Sequence, residues 1–171
     1  MRFASLSIVV ALFLTGCNAA GRVAEDAKGT LCDPADPLPS PSPSFPAARG
    51  LIDTGEDSVL VDLIVAEDEE SQQFGLMHRE SFPENCGMAF LFFEEKSGGF
   101  WMKNTLIPLS IAFFDTDGKI LAILDMEPCE ADPCDIYDPG VSYSGALEVN
   151  QGQFEEWGVE VGDEINITRD E

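Results

Sequence analysis

From Leu51 to the C-terminus the chain is cut into short apolar runs, rich in aromatic and β-branched residues and separated by turn residues. That pattern restricts the fold more than any other feature, because runs of about four to eight such residues suit strands and are too short for most core helices. Ser58-Val59-Leu60-Val61-Asp62-Leu63-Ile64-Val65 predicts one strand, and Met88 to Phe93, Gly99 to Met102 and Leu109 to Phe114 predict three more. Asp115-Thr116-Asp117-Gly118 joins the last of these to Lys119 to Leu124. Asp-Gly between two apolar runs is a hairpin signal, and a full calcium loop would need a glycine spacing and a distant glutamate that are missing here. Further strands are expected at Gly145 to Asn150 and Glu164 to Thr168.

Two short helices interrupt the strands. Ala66 to about Met77 opens with Glu67-Asp68-Glu69-Glu70, whose charges suit the positive end of a helix dipole, and Gln153 to Trp157 forms the second. The segment from Glu127 to Tyr143 reads as an irregular, acidic, cysteine-bearing loop. The expectation is a mainly β, single compact domain over residues 49–171, built as a sandwich or a partly closed barrel.

The first 48 residues are of a different kind. Arg2 precedes the apolar run Ala4 to Leu14, which is shorter than the roughly 20 residues needed to span a bilayer and fits a signal-peptide core. Leu14-Thr15-Gly16-Cys17 follows, similar to the lipobox of bacterial lipoproteins. On this reading residues 1–16 are removed, and diacylglycerol on Cys17 anchors an extracytoplasmic protein to a bacterial membrane. Residues 17–48 form a tether, ending in the alternating prolines of Pro37 to Pro46, which favour extended polyproline II. Two or three acyl chains hold firmly without electrostatic help.

Help of that kind is absent, since nine Lys+Arg against 32 Asp+Glu leave a net charge of −23. Such a surface repels phosphate backbones, so nucleic acid is excluded as a partner, and anionic headgroups are disfavoured. We expect a monomer whose partners are the membrane, through Cys17, and an envelope glycan or protein.

Beyond Cys17 there are four cysteines, an even set suited to an oxidising compartment. Cys129 and Cys134 flank Glu130-Ala131-Asp132-Pro133, whose proline favours a turn that brings them together. Cys32 and Cys86 would then pair and pin the tail to the domain. The rival, a metal site of four thiolates, lacks Cys-x-x-Cys spacing. A copper site from Met77, Met88, Met102, Met126 and His78 competes with the commoner use of methionine as core filler. No cofactor or metal is expected.

No catalytic motif stands out. The only histidine, His78, has no serine or cysteine nucleophile pattern to serve. The densest polar block is Trp101-Met102-Lys103-Asn104-Thr105, between two apolar strands. Lys103, Asn104 and Thr105 offer donors and acceptors suited to a polar or anionic group. The structural alternative has Lys103 paired with a carboxylate and the other two in turn hydrogen bonds. Glu148 alternates with Leu147 and Val149, and so faces away from them, where it would reach Lys103 or Arg79.

Phe74-Gly75-Leu76-Met77-His78-Arg79, Gly87 to Phe92, Phe100 to Leu109, and Ala146-Leu147-Glu148-Val149 with Gly152, Gly158 and Val161-Gly162-Asp163 occur in an order that resembles the domain of unknown function 192 family. The resemblance runs from about Val59 to Ile167 and implies a compact β-rich domain with no established reaction. One departure stands out: the family usually has an aspartate after the Pro-Leu of the central block, where this chain has Ser110. If that carboxylate carried chemistry, its loss argues against transferring it.

Three functions compete. The leading one is a binding module with Arg79, Lys103, Asn104, Thr105 and Glu148 around a small polar ligand, glycan or partner, with no catalytic residue. The second is an enzyme acting on cell-envelope carbohydrate through Glu148, which would need a second carboxylate across the bond. The third is a structural or assembly lipoprotein without a pocket.

Overall fold

The computed structural model describes Cys32 and residues 38–169. The expected signal segment, Cys17 and most of the tether lie outside the described residues. Among the described residues nine strands and two helices follow one another: β1 (Ala47–Asp53), β2 (Ser58–Ala66), α1 (Glu69–Phe74), β3 (Cys86–Lys96), β4 (Phe100–Trp101), β5 (Leu109–Phe114), β6 (Ile120–Met126), β7 (Ile136–Tyr137), β8 (Tyr143–Asn150), α2 (Gln153–Glu156) and β9 (Glu164–Arg169). Seven strands form one sheet in the order β6-β5-β8-β3-β2-β1-β9, and β4 pairs with β7 in a separate two-stranded ribbon. All ladders are antiparallel except β2 with β3. The two edge strands approach at one bridge, Lys119 with Glu164, and the sheet does not close into a barrel.

Alternation along the strands buries both faces of this sheet. Ile64, Met88, Phe90, Ile111, Phe113 and Ala146 pack on one face, and Val65, Ala89, Ala112, Phe114, Leu147 and Val149 on the other. α1 and its following turn cover the first face through Leu76, whereas Phe154 of α2 and Ile165 of β9 complete the second.

The structure departs from the expected elements in three places. β1 begins at Ala47, inside the expected tether, and Pro46 already accepts a hydrogen bond from the Val65 amide at 2.9 Å. Helix α1 is shorter than Ala66–Met77 because Asp68 caps it, accepting from the Ser71 amide at 2.9 Å, and Gly75 turns out of it at φ 51°. β7 emerges from the loop expected to be irregular, pairing Ile136 with Trp101. The expected hairpin does form: Asp115 Oδ1 accepts from the Asp117 and Lys119 amides, and Gly118 sits at φ 86°. A Cβ at Gly118 would lie 2.2 Å from the Ile165 carbonyl oxygen, so glycine is needed where the hairpin meets β9.

Candidate functional site

β4 presents its two residues to opposite sides. Phe100 points into the aromatic cluster, 4.9 Å from Phe90, 5.6 Å from Phe113 and 6.4 Å from Tyr143 between ring centroids. Trp101 therefore points outward and remains 43% exposed, beside its cross-strand partner Ile136 at 60%. After it the chain turns back through Met102 to Thr105, closed by the Thr105 amide donating to the Met102 carbonyl. Met102 and Thr105 are buried by that turn, which leaves Lys103 and Asn104 at the surface.

Asn104 adopts φ 57° and His78 φ 63°, both in the left-handed region that side chains seldom occupy. The two are tied together, because the His78 amide donates to the Asn104 carbonyl at 2.8 Å. This bond fastens the end of the α1 turn to the polar block and defines a cleft of about 330 Å³ lined by Glu70, Gln73, Phe74, Met77, Trp101, Lys103 and Asn104. Its surface combines apolar side chains with a few convergent polar ones, the usual make-up of a small-ligand site. Backbone held in a sparsely populated conformation is also concentrated at such sites.

Lys103 is half-buried here. Its Nζ donates to both carboxylate oxygens of Asp132 at 3.1 Å and lies 5.9 Å from the centre of the Trp101 ring. Asp132 belongs to the loop closed by the Cys129–Cys134 disulfide. Cys32 and Cys86 form the second disulfide. These four sulfurs are therefore paired with one another rather than gathered as four thiolates. Met88, Met102 and Met126 pack in the core on the aromatic face, whereas Met77 is partly exposed and His78 is exposed.

The other three sequence candidates are buried elsewhere. Arg79 donates from Nη1 to the Cys32 carbonyl at 3.2 Å and lies over the Phe82 ring, 5.5 Å from its centre, so it clasps the disulfide-bonded segment. Thr105 is closed inside its turn. Glu148 is only 4% exposed, directly between Met88 of β3 and Ile111 of β5. Burial pushes its carboxyl up to about 8, so it is protonated at neutral pH. Lys103 is committed to Asp132 and does not pair with Glu148.

A second cleft of about 300 Å³ lies on the opposite side of β5, lined by Ser110, Asp125, Gly152, Phe154 and Glu155 among others. Ser110 is buried; its Oγ donates to Asp125 Oδ1 at 2.5 Å and accepts from the Gly152 amide at 2.9 Å. Ser110 and Asp125 are direct cross-strand partners. Through the Gly152 amide this pair ties β5 and β6 to the turn that leads into α2.

The sequence reading missed Trp101 as a surface platform, placing it in a buried strand with Phe100. Alternation was the available signal. Gln73, Phe74 and Glu70 were also missed, since only the fold brings the α1 face beside β4.

A β-rich domain with a mixed apolar and polar cleft beside β4 is thereby defined. The chain belongs to the DUF192 family, described as Uncharacterized ACR, whose model matches residues 51–167. Among solved structures it is similar to a Sinorhizobium meliloti protein described as a candidate transcription regulator, with 29% identity over 73% of this chain and 96% of that one and a TM-score of 0.68. A Novosphingobium aromaticivorans protein of unknown function is similar at 25% identity over 80% and 94%, with a TM-score of 0.61. No curated protein matches the chain.

Proposed function

We propose that this protein is a lipid-anchored, extracytoplasmic binding module, and that the cleft between α1 and the Trp101–Thr105 block takes a saccharide. The observation that carries this reading is the outward Trp101 ring with Lys103 and Asn104 beside it and Gln73 and Glu70 across the cleft. A sugar ring has apolar C–H faces and a polar edge of hydroxyls. An aromatic platform rimmed by amide, ammonium and carboxylate groups matches both. The regulator description of the Sinorhizobium protein is not carried over, because a charge of −23 repels nucleic acid.

The carbohydrate-cleaving alternative loses its proposed residue. An acid–base catalyst must reach the scissile bond, and Glu148 lies between Met88 and Ile111 in the sheet, lining neither cleft described above.

The test uses N-acetylglucosamine oligosaccharides as probes. The chain has two tryptophans, so Trp157→Phe leaves Trp101 as the sole indole reporter. Saturable change in its fluorescence is expected. Trp101→Ala, read by calorimetry, should weaken binding by about 1–2 kcal/mol, roughly five- to thirtyfold in Kd. Phe93→Ser, at a fully exposed position far along β3, should leave it unchanged. Absence of saturation across oligomer lengths refutes the saccharide reading.

A further inference from the structure

We propose that the Cys129–Cys134 disulfide is a redox latch on the charge of Lys103. Only four residues separate the two cysteines, and the loop they close carries Asp132, the ion-pair partner of Lys103. Both flanks of this loop are fixed independently: β7 pairs with β4, and the Glu127 amide donates to the Tyr137 hydroxyl at 3.0 Å. The residues between are exposed, and both cysteines are half-buried. Cys32 and Cys86, by contrast, are 0% and 2% exposed. Thiol–disulfide exchange requires a thiolate to reach sulfur, so the two bonds differ in access, and a short loop gains less from closure than a long one.

The step balances with a dithiol as reductant. One thiolate attacks a protein sulfur, the S–S bond breaks, and a mixed disulfide forms. The second thiolate of the reductant resolves it, leaving the reductant as a disulfide and the protein with two thiols that take up the two protons.

An ion pair this exposed holds weakly, so it does not keep Asp132 in place once the loop is open. Reduction releases Asp132 and leaves an uncompensated ammonium beside Trp101 in the cleft. On the binding reading above, which this consequence rests on, the reduced protein shifts its preference from neutral toward acidic saccharides.

The latch itself is tested without any saccharide. In the full chain carrying Trp157→Phe, quenching of Trp101 by iodide is compared with quenching by neutral acrylamide. Dithiothreitol followed by iodoacetamide capping, with mass spectrometry placing the label on Cys129 and Cys134, defines the reduced state. The iodide-to-acrylamide ratio should rise about two- to fivefold, the worth of an exposed ion pair. Cys129→Ser with Cys134→Ser, which keeps the buried disulfide, should reproduce the rise, as should Asp132→Asn. Lys103→Gln should abolish it. A ratio unchanged in the double serine variant overturns the latch. If the ratio rises while no saccharide binds either form, the latch stands and the saccharide reading falls.

Discussion

Glu148 provides the sharpest quantitative handle on this fold. Its carboxyl is closed between Met88 and Ile111 of the two strands flanking β8, and desolvation raises its pKa from 4.5 to about 8. The folded protein therefore keeps a proton that the unfolded chain releases near pH 4.5. Between those values the native state binds more protons than the unfolded one, so stability falls as pH rises. The loss starts above pH 4.5 and is complete above about 8. The interval covers about 3.5 pH units, and at 1.36 kcal/mol per unit the total is about 5 kcal/mol. That is a large share of the roughly 5–15 kcal/mol that holds a domain together.

Glu148→Gln keeps the shape and removes the titration. Wild type and variant should differ little at pH 4.5, and the variant should gain about 1.4 kcal/mol per pH unit relative to wild type until the curves run parallel above pH 8. Urea unfolding at pH 5, 7 and 9 measures this directly, since every other titrating group cancels in the comparison. A difference that stays constant across the range would refute the burial argument.

The remaining predictions concern the cysteines. Replacing Cys32 and Cys86 with serine removes a cross-link spanning 54 residues, and should cost about 4 kcal/mol in urea unfolding; a loss under about 1 kcal/mol would show that the segment is held by other means. Cys17→Ala should move the protein from the membrane pellet to the soluble fraction on cell fractionation, and continued sedimentation with membranes would remove the lipid anchor from the proposal.

Much of the fold was legible because its strands are both apolar and punctuated. Leu109–Phe114 and its hairpin to β6 stand where the Asp-Gly turn places them. β1 escaped detection because its inward residues are Ala48, Gly50 and Ile52. Two of the three are too small to register as a hydrophobic pattern, and Gly50 is small because a Cβ there would meet Leu63 at 3.0 Å. The acidic run Glu67 to Glu70 marked where the helix opens but not where it stops, and Gly75 at positive φ ends α1 after Phe74. At the site, polarity alone singled out Lys103 and Asn104. It could not distinguish Arg79, Thr105 and Glu148, which satisfy or conceal their polarity in the interior, from residues that face solvent.

The buried disulfide also changes what the proline-rich segment does. A free tether would place all of residues 17–48 between a lipid and the domain. Cys32 is instead bonded to Cys86 at the start of β3 and is fully buried, so the prolines from Pro39 to Pro46 lie within the sequence that this disulfide closes. Its end is already part of the fold: Phe45 packs against Phe74, at 6.4 Å between centroids, on the helix that forms one wall of the cleft. If Cys17 is acylated as proposed, its spacer is the 15-residue separation to Cys32, which at full extension reaches about 50 Å. Arg79 reinforces the same point through its bond to the Cys32 carbonyl, so the arginine that sequence assigned to ligand binding instead helps to fix where the domain begins.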